Sequence, residues 1–372
     1  MQVGVPREIK NREYRVGLTP DSVREFVAHG HEVLVEHDAG IGVGYADADY
    51  ERAGARISDT PERIYAEAEL VVKVKEPQRE ERRQLRADQI LFTYLHLAPD
   101  PEQTHDLVDS GAVCIAYETV TDGHGGLPLL APMSQVAGRM SIQAGAHCLE
   151  KAAGGGGVLV GGVPGVPPAR VVVIGGGVVG ENAIAMAIGL GADTVVLDRD
   201  VGVLRRLATH FGPALTTIYA TRQSLEDQVL DADLVIGAVL VTGAETPKLV
   251  SREMVSRMRT GSVLVDVAID QGGCFETSHP TTHDEPTFVV DGVVHYCVAN
   301  MPGAVPRTST LALNNVTLPY ALALADKGFP QALAEDPHLL DGLNVCRGHV
   351  TYRAVAEELG YRYLPPREAL KG

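Results

Sequence analysis

The chain has 372 residues, 45% of them hydrophobic, and a formal net charge of −16 at pH 7. That length exceeds one ordinary core, so two domains are expected, each apolar enough to bury its own interior. The acidic balance argues against nucleic acid or an anionic membrane as partner, while a local basic pocket could still hold a small anionic substrate. The five cysteines are scattered without a C-x-x-C pair and read as reduced thiols. Met1 runs straight into Val3-Gly4-Val5, and no apolar stretch reaches the roughly 18 residues of a membrane span, so a soluble cytoplasmic protein is expected.

Gln2–Val5 reads as a short strand. Thr19-Pro20-Asp21-Ser22 then opens a helix to His29, with Thr19 as N-cap and Pro20 in the first turn. His31–His37 alternates like a strand, and Asp47–Ala55 and Pro61–Ala68 read as helices. Three further strands are expected at Leu70–Lys75, Ile90–Leu95 and Val113–Val120. This first α/β half carries no glycine fingerprint. Ser141–Ala153 reads as a helix, and Gly154–Gly157 with Gly161–Pro168 as a loop.

Residues 170–198 hold the most informative pattern: an apolar run, Gly175, Gly177 and Gly180, an alanine-rich helical segment, and a second apolar run closing on Asp198. That is the dinucleotide-binding fingerprint in its strand–turn–helix–strand setting. Gly175 permits the tight turn, Gly177 the approach of a pyrophosphate, and Gly180 close packing of helix on strand. Asp198 is placed to accept hydrogen bonds from the adenosine ribose, and it would repel a 2′-phosphate, which favours NAD over NADP. Leu215–Tyr219, Leu234–Val239 and Ser262–Ala268 extend the sheet. Phe288–Asp291 and Val293–Val298 flank Gly292 as two edge strands, and Thr308–Lys327 is a long helix interrupted at Pro319. The expected fold class is α/β with two Rossmann-like domains. Residues 129–306 would form a doubly wound parallel-sheet NAD-binding domain, and 1–128 with 307–372 a discontinuous substrate domain.

A nicotinamide enzyme needs a group that handles a proton and cations that hold an acid substrate. Four apt residues lie just beyond strands: Arg15, Lys75, His96 and Asp270. Each also has a plain structural reading. Arg15 could pair with Glu13 or Glu8, Lys75 could be solvated, His96 could be a surface histidine, and Asp270 could cap the following turn. His279, His283 and Asp284 lie in a loop without thiolates, so no metal is expected. No G-x-x-x-x-G-K-[ST] pattern occurs.

The chain resembles the bacterial alanine dehydrogenase family along essentially its whole length. The resemblance rests on Val5-Pro6-Arg7-Glu8, Arg15-Val16-Gly17-Leu18-Thr19-Pro20, Val72-Lys73-Val74-Lys75-Glu76-Pro77 and Tyr94-Leu95-His96-Leu97-Ala98. It continues in Pro132-Met133-Ser134, the block from Val263 to Phe275, and Tyr296 to Gly303. It implies NAD-dependent oxidative deamination of L-alanine to pyruvate and ammonium, and the reverse. By the resemblance, His96 and Asp270 would be catalytic, and Arg15, Lys75, Met133 and Asn300 would contact the substrate. Ser134, Val178, Asp198, Val239, Leu240, Val267, Ala268, Ile269, Asp270, Val298, Ala299, Asn300 and Met301 would join the three glycines at the cofactor. A homo-hexamer is also implied. Val203 and Ala220 depart from the family near the adenosine. The alternatives are the NAD(H)-binding subunit of a proton-pumping transhydrogenase, a dehydrogenase for another small L-amino acid, or a catalytically silent NAD sensor.

Overall fold

The computed structural model describes residues 1–239 and 246–371. They form two compact units, residues 1–133 with 305–372 and residues 134–304. The first unit contains β1 (Gln2–Val5), β2 (Glu32–Glu36), β3 (Arg56–Ser58), β4 (Leu70–Val72), β5 (Ile90–Thr93) and β6 (Val113–Ala116). The second contains β7 (Arg170–Ile174), β8 (Asp193–Asp198), β9 (Leu215–Tyr219), β10 (Leu234–Gly237), β11 (Val263–Asp266), β12 (Thr287–Val290) and β13 (Val293–Tyr296). The chain then returns to the first unit with β14 (Leu343–Cys346) and β15 (His349–Val350).

The second sheet runs β12-β13-β11-β10-β7-β8-β9, parallel except for the antiparallel edge strand β12. Counted from β7, this is the dinucleotide-fold order 3-2-1-4-5-6, with its switch point between β7 and β10. The first sheet runs β15-β14-β6-β5-β4-β1-β2-β3 and repeats the same order over β1 to β6, with its switch point between β1 and β4. β14 and β15 extend it in antiparallel register beyond β6. Both halves are therefore α/β with parallel-sheet cores.

Valine-rich, unalternating strands suit a sheet covered on both faces. In β7 the pleat sends Val171 and Val173 into one core, with Leu234, Ile236, Val263 and Val265. Val172 and Ile174 enter the other, with Val195, Leu197, Val235 and Leu264. Each such fully buried aliphatic side chain contributes about 1.5–3 kcal/mol.

Several expected bounds move. The strands read to Lys75, Leu95, Val120 and Ala268 end instead at Val72, Thr93, Ala116 and Asp266, and tight turns take over. The helix read from Ser141 begins at Ala131, with Pro132 in its first turn, and ends at Cys148. Gly138 weakens the helical signal there, yet a side chain at that position would collide with the Val179 carbonyl. The helix Pro306–Lys327 runs through Pro319 uninterrupted. The carbonyl deprived of its donor belongs to exposed Asn315, where water can satisfy it. Only β12 is an edge strand of the pair around Gly292, because β13 also pairs with β11. The short strands β3, β14 and β15 carried no readable pattern.

Candidate active site

In each sheet the chemistry gathers beyond the carboxyl ends of the strands next to the switch point, where open α/β sheets bind ligands. In the first unit Glu8 follows β1. Its carboxylate accepts the backbone N–H groups of Val74 at 2.7 Å and Lys75 at 3.2 Å, just past β4. The other oxygen is 3.0 Å from Lys73 Nζ, which also reaches Glu81 at 2.7 Å. Lys73 is fully buried. Burial alone would lower its pKa, but the carboxylates of Glu8 and Glu81 outweigh it and hold the ammonium charged. Burial is the main reason Glu8 rises above the usual carboxylate value, and Glu81 and Glu13 add to it.

Arg15 is 2% exposed. Its Nε and Nη2 donate to Glu13 at 2.7 and 2.6 Å, and Nη1 lies 3.1 Å from Met133 Sδ. The pairing with Glu13 is thus real, and it fixes the plane of the guanidinium so that Nη1 faces Met133. Burial opposes the charge on Arg15, while Glu13, Tyr94 and Glu8 sustain it. Lys75 is half-buried and pulls the Glu76 carboxyl below its ordinary value, against the effect of burial and together with Lys10. His96, two residues beyond β5 and then one more, has an exposed side chain and a left-handed backbone, φ +50°. Its ring stacks on Tyr94, centroids 5.9 Å apart and 4° from parallel. Arg15, Lys75, Met133 and His96 are all carried by the first unit, Arg15 against Met133 and His96 against Tyr94, with Arg15, Lys75 and His96 in segments that follow β1, β4 and β5.

In the second unit Gly175 follows β7 with φ +98°, and a Cβ there would meet the Ala238 carbonyl at 2.7 Å. At Gly180 a Cβ would overlap the Gly175 carbonyl, so the helix Val178–Gly189 packs on the turn only without one. At Gly177, the N-cap of that helix, a Cβ would meet nothing within 4 Å, and no described side chain caps the helix. Open approach to uncapped N–H groups fits a pyrophosphate. Asp198 ends β8, accepting Gly176 N–H at 2.7 Å and Asp200 N–H at 2.8 Å. Each oxygen retains a lone pair for a ribose hydroxyl. Val203 packs where a Gly176 side chain would lie, and Arg206 Nη2 donates to the Gly176 carbonyl at 3.1 Å.

The remaining candidates are spread over nearby turns. Ser134 and Met133 lie in the helix from Ala131, Val178 opens the helix after Gly177, and Val239 follows β10; Leu240 lies outside the described residues. Val267, Ala268, Ile269 and Asp270 form a tight turn after β11. The residue that organises this turn is Asp266. Its buried carboxylate accepts N–H from Ala268, Cys274 and Phe275 at 2.9–3.3 Å and the Ser278 hydroxyl at 2.6 Å. The capping role open to Asp270 thus belongs to Asp266, and Asp270 stands exposed. Val298, Ala299 and Met301 flank Asn300, which has φ +61° and whose carbonyl lies 3.2 Å from His283 Nε2.

Sequence reasoning missed Glu118, Tyr94, Lys73 and Glu81 as partners in the first unit. Glu118 was detectable in principle: a charged residue at the end of an otherwise apolar run marks where the strand must stop. His279 stacks on Phe288 at 3.7 Å, which accounts for it without a metal. Among the described residues, His37, Asp38 and Asp47 bring ligand-type atoms within 4.8 Å of one another, on the surface of the first unit. Two open hollows of about 650 and 500 Å³ lie along Gly202, Arg205 and Arg206 and along Val158, Leu159 and Leu190; neither contains a candidate side chain. No helix among the described residues is long and apolar enough to cross a membrane.

Known proteins match this chain in sequence and in fold. Residues 4–137 match the family description "Alanine dehydrogenase/PNT, N-terminal domain", and residues 141–353 match "Alanine dehydrogenase/PNT, C-terminal domain". The chain is 62% identical over 364 residues to alanine dehydrogenase of Halomonas elongata, covering 98% of both chains. It is 55% identical to alanine dehydrogenase of Bacillus subtilis, covering 100% of this chain and 98% of that one. A solved L-alanine dehydrogenase superposes with a TM-score of 0.94 at 53% identity, covering 97% of this chain and 99% of that one. The transhydrogenase from Sinorhizobium meliloti shares the fold, with a TM-score of 0.82 at 23% identity. By its residues, its fold and these matches, the chain belongs to the alanine dehydrogenase/PNT family.

Proposed function

We propose that the protein catalyses NAD-dependent oxidative deamination of L-alanine to pyruvate and ammonium, and the reverse reductive amination. The observation that supports this reading is the glycine turn of the second unit, in a chain whose first unit carries buried Arg15 against Met133 and His96 against Tyr94. When bound, the nicotinamide ring supplies a hydride acceptor. The turn from Gly175 to Gly180 and the N-terminus of the following helix would hold its pyrophosphate, and Asp198 would hold the ribose.

The substrate carboxylate is held by Arg15 and Lys75. A carboxylate arriving at Arg15 replaces Met133 Sδ, a weak acceptor, at Nη1, and the guanidinium is already oriented by Glu13. His96 takes a proton from the water that attacks the oxidised carbon and returns one to the departing nitrogen. An imidazole can do both near neutral pH. Asp270 stabilises positive charge as it develops on the substrate. A cytoplasmic homo-hexamer completes the reading, carried by resemblance alone.

The test is direct. Purified protein mixed with L-alanine and NAD should produce reduced cofactor, followed by its absorbance. Silence with alanine and with every other small L-amino acid would overturn the proposal. Asp198→Ala should weaken NAD by about 1–2 kcal/mol, the scale of its lost hydrogen bonds. Unchanged NAD affinity in calorimetric titration would remove Asp198 from the cofactor site.

A further inference from the structure

Glu118 enters none of the roles described so far. It sits in the tight turn Tyr117–Thr119 after β6, with its side chain 14% exposed and directed at the neighbouring end of β5. One oxygen, Oε1, accepts the His96 N–H at 2.6 Å and the Leu95 N–H at 3.1 Å, and Oε2 lies 3.2 Å from the same Leu95 nitrogen. Oε1 is also 3.8 Å from His96 Nδ1.

These contacts fall on a strained residue. A left-handed backbone is uncommon outside glycine and persists only where the surroundings impose it. Two charge-assisted hydrogen bonds to consecutive N–H groups are such an imposition. The imidazole is held separately: Tyr94 stacks on its face, and the Tyr94 hydroxyl is anchored on the Leu129 carbonyl at 2.6 Å. With a carboxylate on its Nδ1 side, the neutral ring carries its proton there and leaves the Nε2 lone pair to act. At 3.8 Å the contact is electrostatic rather than a hydrogen bond. Charged or titratable groups near the pair include Arg15, which acts on Tyr94 in the opposite sense to Glu118, and Tyr352, which Glu118 also reaches.

We propose that Glu118 is a positioning residue of this enzyme: it imposes the left-handed backbone of His96 and its Nδ1-protonated tautomer, which makes Nε2 the atom that exchanges protons with substrate and water. The proposal rests on the dehydrogenase reading above, and its test separates the two.

Wild type, Glu118→Gln, Glu118→Asp and Glu118→Ala are compared for kcat, KM for alanine, NAD affinity and the pH profile of kcat/KM. Nitrogen NMR of His96 reports its tautomer. Glu118→Gln should lower kcat by about tenfold to a hundredfold, with NAD affinity unchanged within about twofold. The loss should fall on kcat rather than on KM for alanine, since a mis-set tautomer spoils proton transfer and not substrate binding. Glu118→Asp should restore part of the rate, and the Nδ1–H signature should be present in wild type and lost in Glu118→Ala. A Glu118→Gln enzyme with wild-type kcat overturns the proposal. So does a Glu118→Ala enzyme that loses rate while its His96 keeps the wild-type tautomer, because that is a purely structural effect. Should the wild type prove inactive with alanine, the dehydrogenase reading fails, and the NMR arm still decides the tautomer.

Discussion

Replacing His96 with alanine lowers turnover of L-alanine by about a hundredfold to ten-thousandfold, the contribution of a positioned acid–base group, while NAD binds as before. The expectation follows from placement. His96 belongs to the first unit, and the glycine turn and Asp198 belong to the second, so the substitution removes a proton carrier without touching a dinucleotide contact. Steady-state kinetics and NAD titration on the same variant check both halves. A variant that turns over at the wild-type rate, or one that no longer binds NAD, would show the role of His96 to be misassigned.

Lys73→Met acts on stability instead. It removes the cation between Glu8 and Glu81, whose side chains are 2% and 4% exposed, and leaves two carboxylates buried together. Breaking a buried pair from one side costs about 3–5 kcal/mol. The sign of the pH dependence is fixed. In wild type the folded pKa of Lys73 lies above its ordinary 10.5, so its contribution is present throughout the neutral range and is lost only as pH rises through the folded value. In the variant the folded state takes up a proton at Glu8, already raised by burial, more readily than the unfolded chain does, so the destabilisation shrinks on acidification. Chemical denaturation near neutrality and at about pH 5 measures this. A loss below about 1 kcal/mol, or one that grows towards acid, would contradict the account.

Much of this was legible in the residues. β9 has the bounds its pattern suggests, and β7 with its glycine turn and β8 form the unit its spacing announces. The strand ends were not legible, and they share one cause. Beyond β4, β5 and β11, the N–H groups of Val74 and Lys75, of Leu95 and His96, and of Ala268, Cys274 and Phe275 are taken by Glu8, Glu118 and Asp266. Apolar residues there are buried like strand residues, so periodicity runs on past the true end. The partners are 66, 23 and 8 residues distant in sequence, and no local pattern records a bond across such gaps. For the same reason the sequence offered Arg15, Lys75 and His96 as a set at strand ends, with Glu13 or Glu8 as partners for Arg15, while Glu118 beside His96 emerges only from the fold.

The two sheets share a strand order, yet they present opposite faces to an incoming phosphate. At the first switch point the seat that a nucleotide would seek, two backbone amides and an ammonium, is already filled by the chain's own Glu8, with Glu13 and Glu81 close behind. A phosphate arriving there meets a tenant of its own sign. The duplication of architecture therefore creates no decoy: like charge fills the first seat, and the glycine turn of the other unit is left open.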